Sequence, residues 1–476
     1  MLKVLLAASE AAPFIKTGGL ADVAGSLPKE LLKKGADVRV IIPKYSAIPD
    51  KYKDSMKYIG YTFVKLGWRN QYCGVFECVH EGITFYFIDN EYYFNREKIY
   101  GHYDEAEMFG FFCKAVLESL QVTGFQPDII HCNDWHTGYI PALARINHGW
   151  DKYFNKIKFV YTIHNLQYQG IFPSGVLGEI LDIGYENFTA DKLEFKGNVN
   201  FMKAGIVYSD LITTVSPSYA EEVKMHHYGE GLEGLLNARK DDLHGILNGL
   251  DYDEYNPETD RYIYKNYNID NFKNKAFNKR SLQNELGLPV KADVPVMSLI
   301  SRLVPQKGIE LLEHVIEEIA AMDMQFIILG TGDSKYEELF RHMEWKYPEK
   351  ISANMMFNNQ LSHRIYAGSD MFLMPSKFEP CGLSQLISLR YGTIPIVRET
   401  GGLKDTVKPF NDLTNEGNGF SFANYNAHDM LYTIQRAERF FQDKKIWHML
   451  VKRSMEMDNS WGKSAEKYME LYEKLV

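Results

Sequence analysis

Near-continuous apolar runs, each followed by a helical stretch, recur along this chain in two separate series. The first gives strand candidates at 2–8, 36–42, 83–88, 128–132, 157–163 and 211–215. The second gives them at 295–300, 325–330, 352–357, 370–374 and 394–397. Runs such as Val38-Arg39-Val40-Ile41-Ile42 lack the alternation of a half-exposed strand, so both faces are covered. Helical stretches lie between them, for example at 20–34, 105–122 and 138–147. Strand-helix alternation permits few architectures. The expected fold is α/β, with two Rossmann-like doubly wound parallel-sheet domains and a cleft between them. Residues 50–100 break the rhythm with aromatic, antiparallel-looking segments and read as an insertion. The polar stretch near 246–260 reads as a linker. The expected division is 1–245, linker 246–260, 261–455, and a C-terminal segment 456–476. Pro28 is expected to kink the first helix, and the chain from about 427 reads as helical throughout.

A chain of 476 residues is too long for one core and suits two or three domains of about 150–200 residues each. The net charge of −9 disfavours general attraction to nucleic acid or an anionic membrane surface. An anionic ligand must therefore be drawn by local Lys and Arg. Cys73, Cys78, Cys113, Cys132 and Cys381 are scattered, with no zinc-ligand spacing, which fits a reducing compartment. No run approaches a membrane span and the N-terminus enters a strand directly, so a cytoplasmic protein is expected.

In open α/β sheets, ligands bind beyond the carboxyl ends of the strands. The residues found there are polar, charged or Gly-rich. After the first strand comes Lys16-Thr17-Gly18-Gly19-Leu20-Ala21-Asp22, where a Gly pair precedes a helix N-terminus with a cation beside it. That combination suits an anion, because the helix start offers unpaired N–H groups. The same grammar returns at Glu399-Thr400-Gly401-Gly402-Leu403-Lys404-Asp405, which suggests two similar lobes facing one anionic ligand. Asn133-Asp134-Trp135-His136 and His164-Asn165 follow two further strands of the first half. In the second half, Arg302 and Lys307 supply a fork and a point charge suited to a diphosphate. Glu379-Pro380-Cys381-Gly382-Leu383 sets a carboxylate before a Gly turn, fit to accept from sugar hydroxyls, to act as a nucleophile, to stabilise charge, or merely to cap a helix. Phe357 can stack on a nucleotide base. Asp128, Asp134, His131 and His136 form a metal set on paper, but strand alternation points them apart, and no metal or other cofactor is expected.

Taken in order, Lys-Thr-Gly-Gly-Leu-Ala-Asp-Val, Asn-Asp-Trp-His, Thr-Ile-His-Asn, Ile-Leu-Asn-Gly-Leu-Asp, Ser-Arg-Leu-x-x-Gln-Lys-Gly, Phe-Glu-Pro-Cys-Gly-Leu and Thr-Gly-Gly-Leu-x-Asp-Thr-Val resemble the bacterial glycogen synthases and plant starch synthases. So does Ser460-Trp461-x-x-Ser464-Ala465-x-x-Tyr468. The resemblance covers essentially the whole chain. It implies a GT-B fold with a C-terminal helix crossing back to the first domain. It also implies retaining, metal-independent transfer of glucose from ADP-glucose to the 4-hydroxyl at the non-reducing end of an α-1,4-glucan. Carried over by position, Lys16, Gly18 and Gly19, with Asp22 in the same turn, would meet the donor phosphates. Arg302 and Lys307 would neutralise the departing diphosphate. Glu379 and the amides of Cys381, Gly382 and Leu383 would hold the donor glucose. His164 would face the anomeric carbon, chiefly through its backbone carbonyl. Asp134, His136 and Asn165 would bind glucose or acceptor hydroxyls, Asn248 would lie near the cleft, and Thr400, Gly401 and Gly402 would hold the distal phosphate. Phe357 stands where the family often has Tyr, and Lys404 where Ala is common.

Three rivals remain at this level. A UDP-glucose-dependent or oligosaccharide-making GT-B enzyme would share the site. A dinucleotide oxidoreductase would need a Gly-x-Gly-x-x-Gly turn after the first strand, which is absent. A glucan-binding protein would not need Arg302, Lys307 and paired Gly turns. Neither nucleic acid nor membrane is expected as a partner, and the two-lobed design predicts hinge closure on donor binding.

Overall fold

In the computed structural model, which describes residues 1–476, the chain forms two units. One is Met1–Gly249 with Trp461–Val476, and the other is Leu250–Ser460.

The first unit is built on β1 (Lys3–Ala7), β2 (Asp37–Pro43), β3 (Lys57–Leu66), β4 (Arg69–His80), β5 (Ile83–Asp89), β6 (Ile129–Asn133), β7 (Lys158–Ile163), β8 (Ile171–Pro173), β9 (Glu194–Phe195), β10 (Asn198–Asn200), β11 (Leu211–Thr214) and β12 (Leu243–Gly245). Nine of these form one sheet in the order β12-β11-β7-β6-β1-β2-β5-β4-β3. All neighbours from β12 to β5 pair in parallel, and β3 and β4 add an antiparallel ribbon at the β5 edge. The central strands are apolar and buried, because helices cover both faces. β8, β10 and β9 form a separate three-stranded antiparallel sheet.

The helix Gly19–Lys33 runs on through Pro28 and buries Leu20, Val23, Ala24, Leu27 and Leu31. The C-terminal helix Trp461–Leu475 also belongs to this unit. Its buried stripe of Trp461, Ser464, Ala465, Tyr468 and Tyr472 has the i, i+3, i+4, i+7 spacing of one helix face. Ser464 donates to the Leu247 carbonyl at 2.5 Å, Tyr472 bonds the His131 ring at 2.7 Å, and Lys34 pairs with Glu466. The terminal motif seen in the sequence is thus the packing face of this helix.

The second unit holds β13 (Val296–Ile300), β14 (Gln325–Leu329), β15 (Ile351–Asn354), β16 (Met371–Met374), β17 (Ile394–Arg398) and β18 (Phe420–Phe422), all parallel, in the order β15-β14-β13-β16-β17-β18. Numbered within the unit this is 3-2-1-4-5-6, a doubly wound order whose direction reverses between β13 and β16. In the first unit the same reversal falls between β1 and β6.

β12, β18 and the three-stranded sheet escaped the sequence reading, because segments of two or three residues carry no periodic signal. The strand expected at 352–357 ends at Asn354, leaving Phe357 exposed. The C-terminal helical region is broken at Asp443, whose carboxylate caps the next helix through the Lys445 and Ile446 amides, and again before Trp461. The polar stretch after Leu250 lacks regular structure but is pinned by Asp260. Its buried carboxylate accepts from Tyr391 at 2.5 Å and bonds His363 at 2.7 Å, and these two partners hold it below the usual carboxylate range.

Candidate active site

At the reversal point of the first unit, two carboxylates stand at adjacent strand ends. Glu10 follows β1 and is almost fully buried (3% exposed). Its Oε2 accepts from the Thr17 amide at 2.5 Å and the Thr17 hydroxyl at 2.9 Å, and the Gly18 amide faces the same carboxylate. Burial pushes its carboxyl up to about 7 against those donors. Asp134 follows β6 with φ +55°. Its Oδ1 accepts from the backbone amides of His164 at 2.8 Å and Asn165 at 3.4 Å. Burial raises it too, to about 7, and the neighbouring Glu10 charge adds to the effect.

The His164 ring is fixed from behind. Its Nε2 lies 2.8 Å from Asn133 Oδ1, while the Asn133 amide nitrogen donates to the Ala7 and His131 carbonyls. Asn133 can therefore only accept from the ring, so His164 carries its proton on Nε2. Burial depresses the imidazole to about 3, and it stays neutral at working pH. His136 is likewise depressed to about 3 by burial, packed against Trp135, Phe109 and Tyr100, with its Nδ1 buried and unpartnered. Tyr100 reaches Ser9 at 2.7 Å. His131 and Asp128 lie elsewhere. His131 is a core residue between Tyr472 and Thr162, and Asp128 accepts from the Lys3 amide. No group of three or more His, Cys, Asp or Glu is arranged to hold a metal.

The turn Lys16–Gly19 is exposed, and Lys16 pairs with Asp22 at 2.6 Å. A Cβ at Gly18 would meet nothing nearer than Glu10 Oε1 at 3.8 Å. Asn165 Oδ1 caps its own turn through the Gln167 amide, and Asn248 is buried with an unpartnered Oδ1.

In the second unit the reversal point opens a cavity of about 200 Å³. Its walls are the ends of β13 and β16, with Ser301, Arg302, Lys307, Ser376 and Ser384 as the polar lining. Lys307 Nζ donates to Glu379 Oε2 at 2.6 Å, and the Ser376 hydroxyl donates to the same oxygen at 3.0 Å. Glu379 is buried and Arg302 exposed. The loop Glu379–Leu383 is clamped by Gln385, whose amide donates to the Cys381 carbonyl at 3.0 Å and the Gly382 carbonyl at 2.9 Å. Thr400, Gly401 and Gly402 are buried against this same loop, with the Gly402 amide bonded to the Glu379 and Pro380 carbonyls. A Cβ on Gly401 would stand 2.1 Å from the Glu379 carbonyl oxygen.

The sequence-read residues thus gather at two strand-reversal points, one in each unit. Lys16, Gly18, Gly19, Asp22, Asp134, His136, His164 and Asn165 belong to the first. Arg302, Lys307, Glu379, Cys381–Leu383 and Thr400–Gly402 belong to the second. Phe357 sits alone and exposed past the end of β15. Glu10, Tyr100 and Gln385 were missed. Glu10 had a signal, being the one charge in Ala7-Ala8-Ser9-Glu10-Ala11-Ala12 just past a buried strand.

A family model described as the starch synthase catalytic domain matches residues 3–238, and one for glycosyl transferases group 1 matches residues 284–454. Glycogen synthases of Anoxybacillus flavithermus and Geobacillus stearothermophilus are each 54% identical over 475 residues, covering 100% of this chain and 98% of theirs. The solved catalytic domain of starch synthase IV from Arabidopsis thaliana, bound to ADP and acarbose, superposes with a TM-score of 0.91 at 35% identity, covering 100% of this chain and 99% of that one. A sucrose-phosphate synthase from Thermosynechococcus elongatus shares the fold at a TM-score of 0.62 and 16% identity, covering 100% of this chain and 99% of that one. The chain belongs to the glycogen and starch synthase family of GT-B glycosyltransferases.

Proposed function

We propose that the protein elongates glycogen by moving glucose from ADP-glucose to the 4-hydroxyl at the non-reducing end of an α-1,4-glucan, with retention at the anomeric carbon. One observation carries the reading. The cavity at the reversal point of the second unit is walled by two cations, Arg302 and Lys307, and the second of these, with Ser376 of the same lining, holds the buried Glu379 carboxylate. Cations beside a carboxylate suit a sugar diphosphate. Arg302 and Lys307 stabilise the charge that grows on the diphosphate as its bond to C1 breaks, and Glu379 accepts from the glucose hydroxyls. The family relationship and the ADP-bound Arabidopsis relative support the nucleotide.

The step balances without a protein nucleophile. The C1–O bond to the diphosphate breaks, the acceptor O4–C1 bond forms on the same face, and the O4 proton passes to the departing phosphate oxygen. In the first unit, Asp134 is proposed to fix the His164–Asn165 backbone so that the His164 carbonyl meets the anomeric centre. Lys16 and the Gly18–Gly19 turn meet the phosphates, and His136, Asn165 and Asn248 meet sugar hydroxyls. His164, held neutral, adds no charge. Thr400–Gly402 acts through the Glu379–Leu383 loop on which it packs, and Phe357 offers its ring to the base. The reading places the protein in the cytoplasm, which accords with five buried free thiols.

The test is incorporation of labelled glucose into glycogen from ADP-glucose and UDP-glucose side by side, with chelator present. Incorporation from ADP-glucose alone is expected. Preference for UDP-glucose would move the donor assignment, and glucan binding without transfer would overturn the enzymatic one.

A further inference from the structure

The exposed turn Lys16–Gly19 is held from inside by a side chain that the reaction scheme does not use. Glu10 reaches it from the end of β1. One carboxylate oxygen takes both the amide and the hydroxyl of Thr17, and the Gly18 amide faces the same group. The Thr17 and Gly18 N–H groups of the turn are therefore occupied by an internal carboxyl group. The helix Gly19–Lys33 that follows has no side-chain cap at its N-terminus, the kind of helix start that suits an anion.

A buried carboxylate is costly unless donors surround it. Here the donors come from the turn itself, so the charge is satisfied only while the turn keeps this shape. The anchor is also rigid, since β1 lies between β2 and β6 at the centre of the sheet. Gly18 adds no side-chain contact of its own to hold the turn, and on its extended backbone a Cβ would meet only Glu10 Oε1, at 3.8 Å.

We propose that Glu10 is a positioning residue of the donor site: acting through Thr17, it fixes the Lys16–Gly19 turn in the shape that receives the donor diphosphate. Glu10 does not touch the reacting atoms. This rests on the ADP-glucose reading above and adds to it the element that shapes the phosphate turn.

The experiment compares Glu10→Ala, Glu10→Gln, Thr17→Val and the paired variants in steady-state transfer from ADP-glucose and in calorimetric titration with ADP, with thermal melts alongside. Misplacing a binding turn by about 1 Å can cost about 100-fold, and Glu10→Ala is expected to lose about that much in kcat/KM for the donor while the KM for glycogen stays put. Glu10→Gln keeps an oxygen able to accept from Thr17 and is expected to recover most of the loss. Thr17→Val, which removes only the hydroxyl bond, is expected to raise the donor KM several-fold on its own and to add little on top of Glu10→Ala. If Glu10→Ala does not fold, Glu10→Gln with Thr17→Val carries the same test of non-additivity.

Wild-type donor kinetics in Glu10→Ala, or a full additional Thr17→Val penalty on top of a Glu10 variant, would overturn the proposal. A rise in the glycogen KM with donor kinetics intact would do the same. A wild-type protein that neither binds ADP nor transfers glucose would overturn the functional reading along with it. An active wild type matched by its Glu10 variants would overturn the inference alone.

Discussion

The two Thr-Gly-Gly-Leu turns read alike in sequence and are built in opposite ways. Lys16–Gly19 is exposed, opens a fifteen-residue helix, and is held by one buried carboxylate beneath it. Thr400–Gly402 is buried, opens a helix of six residues, and lies against the backbone of Glu379–Cys381. In the first turn Gly18 leaves room for a Cβ with only an ordinary contact to Glu10. In the second the chain itself fills it: Gly401 has φ +43°, and its missing Cβ is replaced by the Glu379 carbonyl 2.1 Å away. Absence of a side chain lets a backbone approach something closely, but the motif does not say whether that something is a ligand or the protein. The open turn is suited to meet a ligand, and the closed one to shape the loop that carries Glu379.

The largest effect should come from the loop that the closed turn supports. Glu379→Ala leaves the backbone contact with Gly402 intact and is expected to nearly abolish transfer; activity within a few-fold of wild type would reject the role given to the side chain. Arg302→Ala and Lys307→Ala should lower turnover by about 10²–10³, the cost of losing one well-placed transition-state donor, and more than they raise the donor KM. An unchanged turnover number in both would remove the leaving-group role.

The next prediction concerns pH and the open turn's side of the molecule. Burial raises the folded-state Asp134 carboxyl from its ordinary 3.8 to about 7. A group raised in this way supports the fold fully below its unfolded value and loses that support as pH rises through about 7. Asp134→Asn cannot ionise, so its melting temperature should gain on wild type between pH 4 and about 7 and then run parallel. A constant gap across that window would show that the carboxyl is not buried as described. The smallest effect is expected at Phe357, whose ring is 92% exposed. Phe357→Ala should leave the melting temperature within about 1 °C and raise the donor KM about tenfold, the scale of one lost base stack.

The parallel sheets were legible because buried strands such as β1, β2 and β14 write themselves as apolar runs. The strand-end rule then placed Asp134, His164, Arg302 and Lys307 without any contact information. What the sequence hid was who holds whom. Glu10 lies seven residues from Thr17, across a loop with no helical or strand period to relate them. Asn133 stands in a strand-end motif, but nothing in that motif shows that its amide bonds the Ala7 carbonyl and the His164 ring. The opposite burial of the two Gly-Gly turns was invisible for a related reason: glycine records that space is needed, not what occupies it.

The comparison of the turns is tested most directly by Gly18→Ala and Gly401→Ala, each measured for thermal stability and for ADP affinity. Gly18→Ala places its methyl on extended backbone in no more than ordinary contact with Glu10 Oε1, 3.8 Å away, and should keep the wild-type melting temperature within about 2 °C while weakening ADP binding. Gly401→Ala puts a methyl against a carbonyl oxygen in a left-handed backbone and should lower the melting temperature by about 5–10 °C. Equal stability losses in the two, or an unchanged ADP affinity in Gly18→Ala, would contradict the division between an open turn that meets ligand and a closed turn that meets the protein.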